Sequence, residues 1–163
     1  MSVQNAETTH SPDATLSLLN LRMISLLLVV LGVLITGYLS YVKLADKETI
    51  CIEGSNFNCD VVQNSRYAQI MGVPTAYLGF VTYLVIGGLL LVETQGPFFR
   101  ENGIFMLFGL VLFAFIYSMY LVYLQGAVLG AWCQWCLAHE ATMTVLFGVT
   151  VLRLKQVLTE ASG

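Results

Sequence analysis

The chain has 163 residues, 57% of them apolar and only 10% charged, with a formal net charge of −3. Soluble domains carry roughly 25% charged residues, so a soluble globule is excluded and an all-α integral membrane protein in a lipid bilayer is expected. There is no basic patch of the kind nucleic acid requires, which excludes that class of partner.

Residues 1–20 are polar, rich in Ser and Thr, and are expected to form a disordered tail. From Met23 to Val42 there is no charge, close to the roughly 20 residues that cross a hydrocarbon core. This first span, about 22–42, is too long for the apolar core of a cleaved signal peptide and is expected to be retained. Residues 43–74 form a polar loop holding Cys51 and Cys59. Within it, Asn58 or Asp60 is placed to cap a short surface helix running through Val61, Val62, Tyr67 and Ile70, with Val62 and Ile70 towards the membrane and Gly72 and Pro74 as its stop. The second span is about 75–92, closed by Glu93. After Glu101 no formal charge appears until Glu140, too long for one helix. The break at Gln125-Gly126 and Gly130 therefore divides a third span, about 103–124, from a fourth, about 133–152. The membrane unit is placed at 21–155, a four-helix bundle, with a short tail at 156–163.

Four spans put the first and third connections on the same side of the membrane. The pair Cys51/Cys59 and the pair Cys133/Cys136 therefore fall at one face, whichever way the bundle points. A Cys-x-x-Cys is ambiguous between redox, metal and haem chemistry. Haem attachment needs His after the second Cys, where Leu137 stands. Zinc pairs are usually separated by two to four residues, against seven between Cys51 and Cys59, so no metal is assigned. Redox exchange and two static disulfides stay open, and the shared face favours exchange. Cys59 near the start of the short helix suits a thiolate, and Gly54, Ser55 and Asn56 give the loop between the cysteines room to swing. On the fourth span Cys133, Cys136 and Glu140 fall at i, i+3 and i+7, with His139 three residues after Cys136. Ionisable groups inside a span are functional candidates.

The order Cys-x7-Cys followed by Cys-x2-Cys resembles the vitamin K epoxide reductase family, of prokaryotic type. So do Cys59-Asp60-Val61-Val62-Gln63-Asn64-Ser65-Arg66-Tyr67-Ala68, then Gly72-Val73-Pro74 and Gly79. The other quinone-linked thiol oxidase of bacteria has its close-spaced pair first. The resemblance implies a membrane thiol-disulfide oxidoreductase supporting disulfide formation. Cys133 and Cys136 would be the active pair, Cys136 beside a quinone of menaquinone, ubiquinone or phylloquinone type, and Cys51 and Cys59 the shuttle pair. A thioredoxin-fold, DsbA-like protein, expected to be separate, would supply the electrons. Ser65 matches the family's loop serine and is a candidate near the quinone head group, as is Trp135, which otherwise serves as an interface anchor. His139 and Glu140 depart from the family's pattern, and one of them is expected to relay protons to the quinone. The expected site is a bacterial cytoplasmic membrane, with redox loops outside and termini in the cytoplasm. The alternatives are reduction of a quinone epoxide by the same fold, which lacks the animal-type tyrosine here, and a non-enzymatic, disulfide-stabilised membrane interaction protein.

Overall fold

A computed structural model describes residues 12–51 and 57–162. Its long helices are α1 (Pro12–Leu44), α3 (Thr75–Val92), α4 (Pro97–Tyr123) and α5 (Gln134–Ser162), with a five-residue helix, α2 (Cys59–Gln63), in the first connection. The long helices hold four segments apolar enough to cross a membrane: Leu19–Leu44, Thr75–Val92, Asn102–Leu129 and Gln134–Thr159. Leu27, Leu34, Leu84, Phe105, Ile116 and Leu152 point outward, as expected where the surrounding solvent is hydrocarbon. The chain is a four-helix membrane bundle.

The core is built from every long helix: Val29 on α1, Tyr83, Ile86 and Leu90 on α3, Ile104, Leu107 and Val111 on α4, Met143 and Leu146 on α5. Helix α1 packs on α3 and α5, and α4 packs on α5. The α1–α3 approach depends on Gly32, because a Cβ there would lie 2.2 Å from the Tyr83 ring. Inside the bundle the hydroxyls of Ser25, Thr36 and Thr150 donate to the carbonyls of Leu21, Gly32 and Leu146, at 2.9, 2.7 and 2.8 Å. Each of these three hydroxyls is thus satisfied within its own helix, as an apolar surround demands.

The end of the bundle away from the cysteines is closed by charge. Glu93 Oε1 accepts from Arg153 Nη2 at 2.7 Å and lies 3.2 Å from Arg22 Nε, while Arg22 Nη2 donates to the Leu90 carbonyl. One carboxylate thereby ties α1 and α5 to the end of α3. Removing one partner of a largely buried ion pair costs about 3 kcal/mol. Glu93→Ala should therefore lower the midpoint of thermal unfolding in detergent, by leaving two arginines facing each other. An unchanged midpoint would show that the cluster contributes nothing to stability.

Several boundaries differ from the expected ones. Helix α1 begins at Pro12, inside the stretch expected to be a disordered tail. Proline suits a first helical position, where its missing N–H has no intrahelical partner. The rest of that tail lies outside the described residues. The C-terminal stretch expected as a tail continues α5 to Ser162, since no helix breaker interrupts it. Helix α4 starts at Pro97, with Gly96 as its cap. The short helix is the larger correction. It does not run to Ile70 but stops at Asn64, and Ser65 is extended (φ −64°, ψ 152°). After a 3-10 turn over Arg66–Ala68, strands β1 (Gln69–Ile70) and β2 (Val73–Pro74) pair antiparallel. The turn between them is made by Met71 and Gly72, both at positive φ, the conformation a two-residue hairpin needs. Val62, expected to face the membrane, instead packs inside the protein with Cys59, Ala131 and Cys133, while Ile70 is 39% exposed.

Candidate functional site

The third connection is built around a glutamine. Helix α4 does not stop at Gln125 but passes into a π-helical turn, Leu124–Leu129, that ends at Gly130 with φ 60°. Gln125 is 4% exposed. Its carbonyl accepts from the Ala131 amide at 3.2 Å, and its Oε1 accepts from the Cys133 amide at 3.1 Å. What reads in sequence as a polar break is thus a buried brace that sets the backbone of Cys133. π turns interrupt helices mainly at functional sites.

The first connection docks onto this turn. Phe57 pairs with Trp132 in a parallel bridge, and the Asn58 amide donates to the Trp132 carbonyl at 3.0 Å. Asn58 also caps α2, its Oδ1 accepting from the Val61 amide at 3.0 Å. Trp135 Nε1 donates to the Ile50 carbonyl at 2.7 Å, and Gln134 Nε2 reaches the same oxygen at 3.2 Å. Cys51 and Cys59 are joined in a disulfide with a Cα–Cα distance of 6.0 Å, while Cys133 and Cys136 are free thiols. Cys59 and Cys133, 1% and 0% exposed, sit in one buried cluster with Val62 and Ala131, and Cys51 and Cys136 pack against it. All four sulfurs lie at one end of the bundle. The expected swinging segment, Gly54-Ser55-Asn56, lies outside the described residues.

Cys133 lies just before the fourth membrane segment. Its sulfur accepts from the Cys136 amide at 3.4 Å and from Gln63 Nε2 on α2 at 3.9 Å. Hydrogen bonding from the Cys136 thiol, joined by these donors, outweighs burial and brings the Cys133 thiol down to about 7. At that value a substantial thiolate fraction is present near neutral pH.

Beneath the docked loop is a cavity of about 550 Å³. Its floor and walls include Leu110, Phe113 and Met143. Cys136, His139, Glu140, Ser65, Gln63 and Tyr117 bring polar groups to it. Glu140 is 8% exposed. Its Oε2 accepts a hydrogen bond from the Ser118 hydroxyl, and its Oε1 has no hydrogen-bond partner among the described residues. The His139 ring meets Tyr83 edge-on at 5.6 Å. Ser65 donates to the Val62 carbonyl at 2.8 Å, so its hydroxyl is already oriented by the loop.

The structure therefore brings Cys136, Ser65, His139 and Glu140 to one cavity, and packs Cys51, Cys59 and Cys133 in a cluster that Cys136 also touches. It does not bring Trp135 there. Among the described residues lining the cavity Trp135 is absent, because its indole N–H is drawn to Ile50 and its ring lies 4.7 Å from Tyr38. Gln63, Gln125 and Ser118 escaped sequence reasoning. The signal for them was an amide or hydroxyl placed among apolar neighbours, too common to single out.

Four apolar helices around a cavity, with a disulfide docked against a reduced Cys-x-x-Cys at one end, define a membrane protein built for paired-cysteine chemistry. The family model described as the vitamin K epoxide reductase family matches residues 23–151. The chain is also 35% identical over 125 residues to the thiol-disulfide oxidoreductase LTO1 of Arabidopsis thaliana. The match covers 74% of this chain and 33% of that protein, so the chain spans about a third of its relative's length. The chain belongs to the vitamin K epoxide reductase family.

Proposed function

We propose that the chain is a membrane thiol oxidase that takes electrons from a thioredoxin-fold, DsbA-like partner through Cys51 and Cys59 to Cys133 and Cys136, with a quinone as final acceptor. The observation that carries this reading is the docking of the disulfide-bonded loop on the Cys133 turn, directly above a cavity that Cys136 lines. Family membership and the name of the Arabidopsis relative support thiol-disulfide chemistry.

Exposure supports one order of the sulfurs. Cys51 is partly exposed and Cys59 buried, so a partner thiolate reaches Cys51. The Cys51–Cys59 bond breaks and its electron pair leaves on Cys59, already packed beside Cys133. Cys59 then attacks Cys133 in its disulfide with Cys136, and Cys136 leaves as the thiolate. The partner's second thiolate attacks the partner sulfur bound to Cys51, so the partner leaves oxidised and Cys51 is freed as a thiolate. Attack by Cys51 on Cys59 then releases Cys133, returning the loop disulfide and leaving the reduced pair seen here.

The cavity fits a quinone. Apolar walls suit a ring and tail, and the unpartnered Oε1 of Glu140 is a buried polar atom that a bound head group would satisfy. Ser65, His139, Glu140 and the Cys136 sulfur are the residues that would hold it. When bound, a quinone of menaquinone, ubiquinone or phylloquinone type supplies the two-electron, two-proton acceptor that restores the Cys133–Cys136 disulfide. The docked loop covers the cavity, and Glu140 is the carboxyl placed in it to relay protons.

Exchange of this kind belongs on an oxidising face, which places the cysteine end outside the cytosol of a bacterial cytoplasmic membrane. The opposite end carries Arg22, Arg100, Arg153 and Lys155 against Lys43, Lys47 and Arg66 at the cysteine end, an excess of one towards a cytoplasmic side. Purified protein given a reduced thioredoxin-fold protein and a quinone should consume thiols while quinone absorbance falls. Absorbance unmoved by the intact chain would remove this reading.

A further inference from the structure

Gln63 has no part in the relay as described, yet its side chain reaches the sulfur at the relay's centre. It sits on α2, one helical turn beyond Cys59, and donates to Cys133 across 70 residues of sequence. We propose that Gln63 is a positioning residue that α2 delivers to Cys133 together with Cys59, and that its amide stabilises the Cys133 thiolate as the leaving group that resolves the Cys59–Cys133 mixed disulfide. This rests on the thiol-relay reading and deepens it.

In the resolving step the Cys51 thiolate attacks Cys59 Sγ. The Cys51–Cys59 bond forms, the Cys59–Cys133 bond breaks, and its electron pair leaves on Cys133 Sγ. Exchange is faster when the departing sulfur is the better thiolate. The structure shows the state after this step: the loop disulfide closed, Cys133 free, and Gln63 on its sulfur. The Cys136 amide reaches the Cys133 sulfur from its own turn, and Gln63 is the donor that comes from the docked loop. The Cys51–Cys59 disulfide, Val62, Ala131, Leu129 and Trp135 carry no charge, and Cys136 is the titratable group among them. Because the donor and the attacked sulfur, Cys59, share one short helix, Cys133 is most easily released when the loop is docked. Undocking would withdraw both together.

The test reads Cys133 directly in the full chain, with the loop disulfide intact and Cys133/Cys136 reduced. Alkylation of Cys133, assigned by peptide fragmentation, is followed against pH for Gln63→Leu, Gln63→Glu and Gln63→Lys. Loss of a hydrogen bond to a charged sulfur should raise the alkylation midpoint of Gln63→Leu by about one pH unit. Gln63→Glu should raise it further, and Gln63→Lys, which keeps a donor, should stay at or below the wild-type midpoint. During turnover, acid quenching should catch more Cys59–Cys133 mixed disulfide in Gln63→Leu than in the wild type. Midpoints that coincide in all four proteins, or three variants shifted alike as a packing defect would shift them, overturn the proposal. The midpoint needs neither partner nor quinone. Separated midpoints without oxidase turnover would sink the oxidase reading alone, and full turnover with coincident midpoints would sink the role of Gln63 alone.

Discussion

Cys136→Ala should abolish quinone-linked thiol consumption, since removing a covalent participant costs on the order of a millionfold, while leaving the exchange between Cys59 and Cys133 intact. Cys136 is the sulfur that lines the cavity, and its amide and thiol both reach Cys133. Without it Cys133 has no partner with which to store two electrons. Cys133 still lies buried beside Cys59, with its backbone held by Gln125. Replacing both Cys51 and Cys136 with alanine therefore leaves Cys59 and Cys133 as the remaining thiols, and mild oxidation should join them in nearly every molecule. The joined species is read as a mass loss of two hydrogens and a single cross-linked peptide pair. Residual turnover in Cys136→Ala near the wild-type rate would show that electrons leave by another route. Failure of Cys59 and Cys133 to join would show that the docked loop does not carry them to one another.

The bundle was legible because membrane spans announce themselves by what they lack. Long uncharged runs bounded by Arg22, Glu93, Glu101 and Arg153 leave little choice of topology. Counting spans then brings two distant cysteine pairs to one end, and the Phe57–Trp132 bridge is that prediction made physical. Harder to read were contacts whose chemistry depends on a partner far away in sequence. Gln125 bonds Cys133 from eight residues off, Ser118 meets Glu140 from 22, and Gln63 meets Cys133 from 70. None carries a local pattern, since each is one polar residue whose burial is decided by packing. Trp135 shows the same limit from the other side. An aromatic beside the motif suited a cavity wall, but one hydrogen bond to the Ile50 carbonyl turned it towards the loop. The short helix failed for a local reason. Its apolar spacing continued to Ile70, yet the extended Ser65 and the positive φ at Met71 gave that stretch to a hairpin, and methionine is not a residue that signals such a turn.

Glu140→Gln should slow reduction of the acceptor by about 10- to 100-fold, with loop exchange at the wild-type rate. Positioned proton transfer contributes on the order of a hundredfold or more, and each two-electron reduction of a quinone takes up two protons. Glu140 is the cavity carboxyl one helical turn beyond Cys136. Ser118 fixes one oxygen and the other is unpartnered inside the protein. The amide keeps the shape and can still accept from Ser118, so the variant removes the transferable proton and little else. Ser118→Ala should give a smaller loss, because it frees the carboxyl without removing it. His139→Ala separates the two ionisable candidates. That ring packs edge-on against Tyr83, so its loss should act through packing and appear as a lowered unfolding midpoint together with a modest fall in rate. The decisive comparison is between single-turnover acceptor reduction and loop exchange in the same protein. If Glu140→Gln reduces the acceptor at the wild-type rate while His139→Ala does not, the proton route runs through the imidazole. If both keep the wild-type rate, neither side chain supplies the proton, and the Glu140–Ser118 pair serves only to lock α4 against α5.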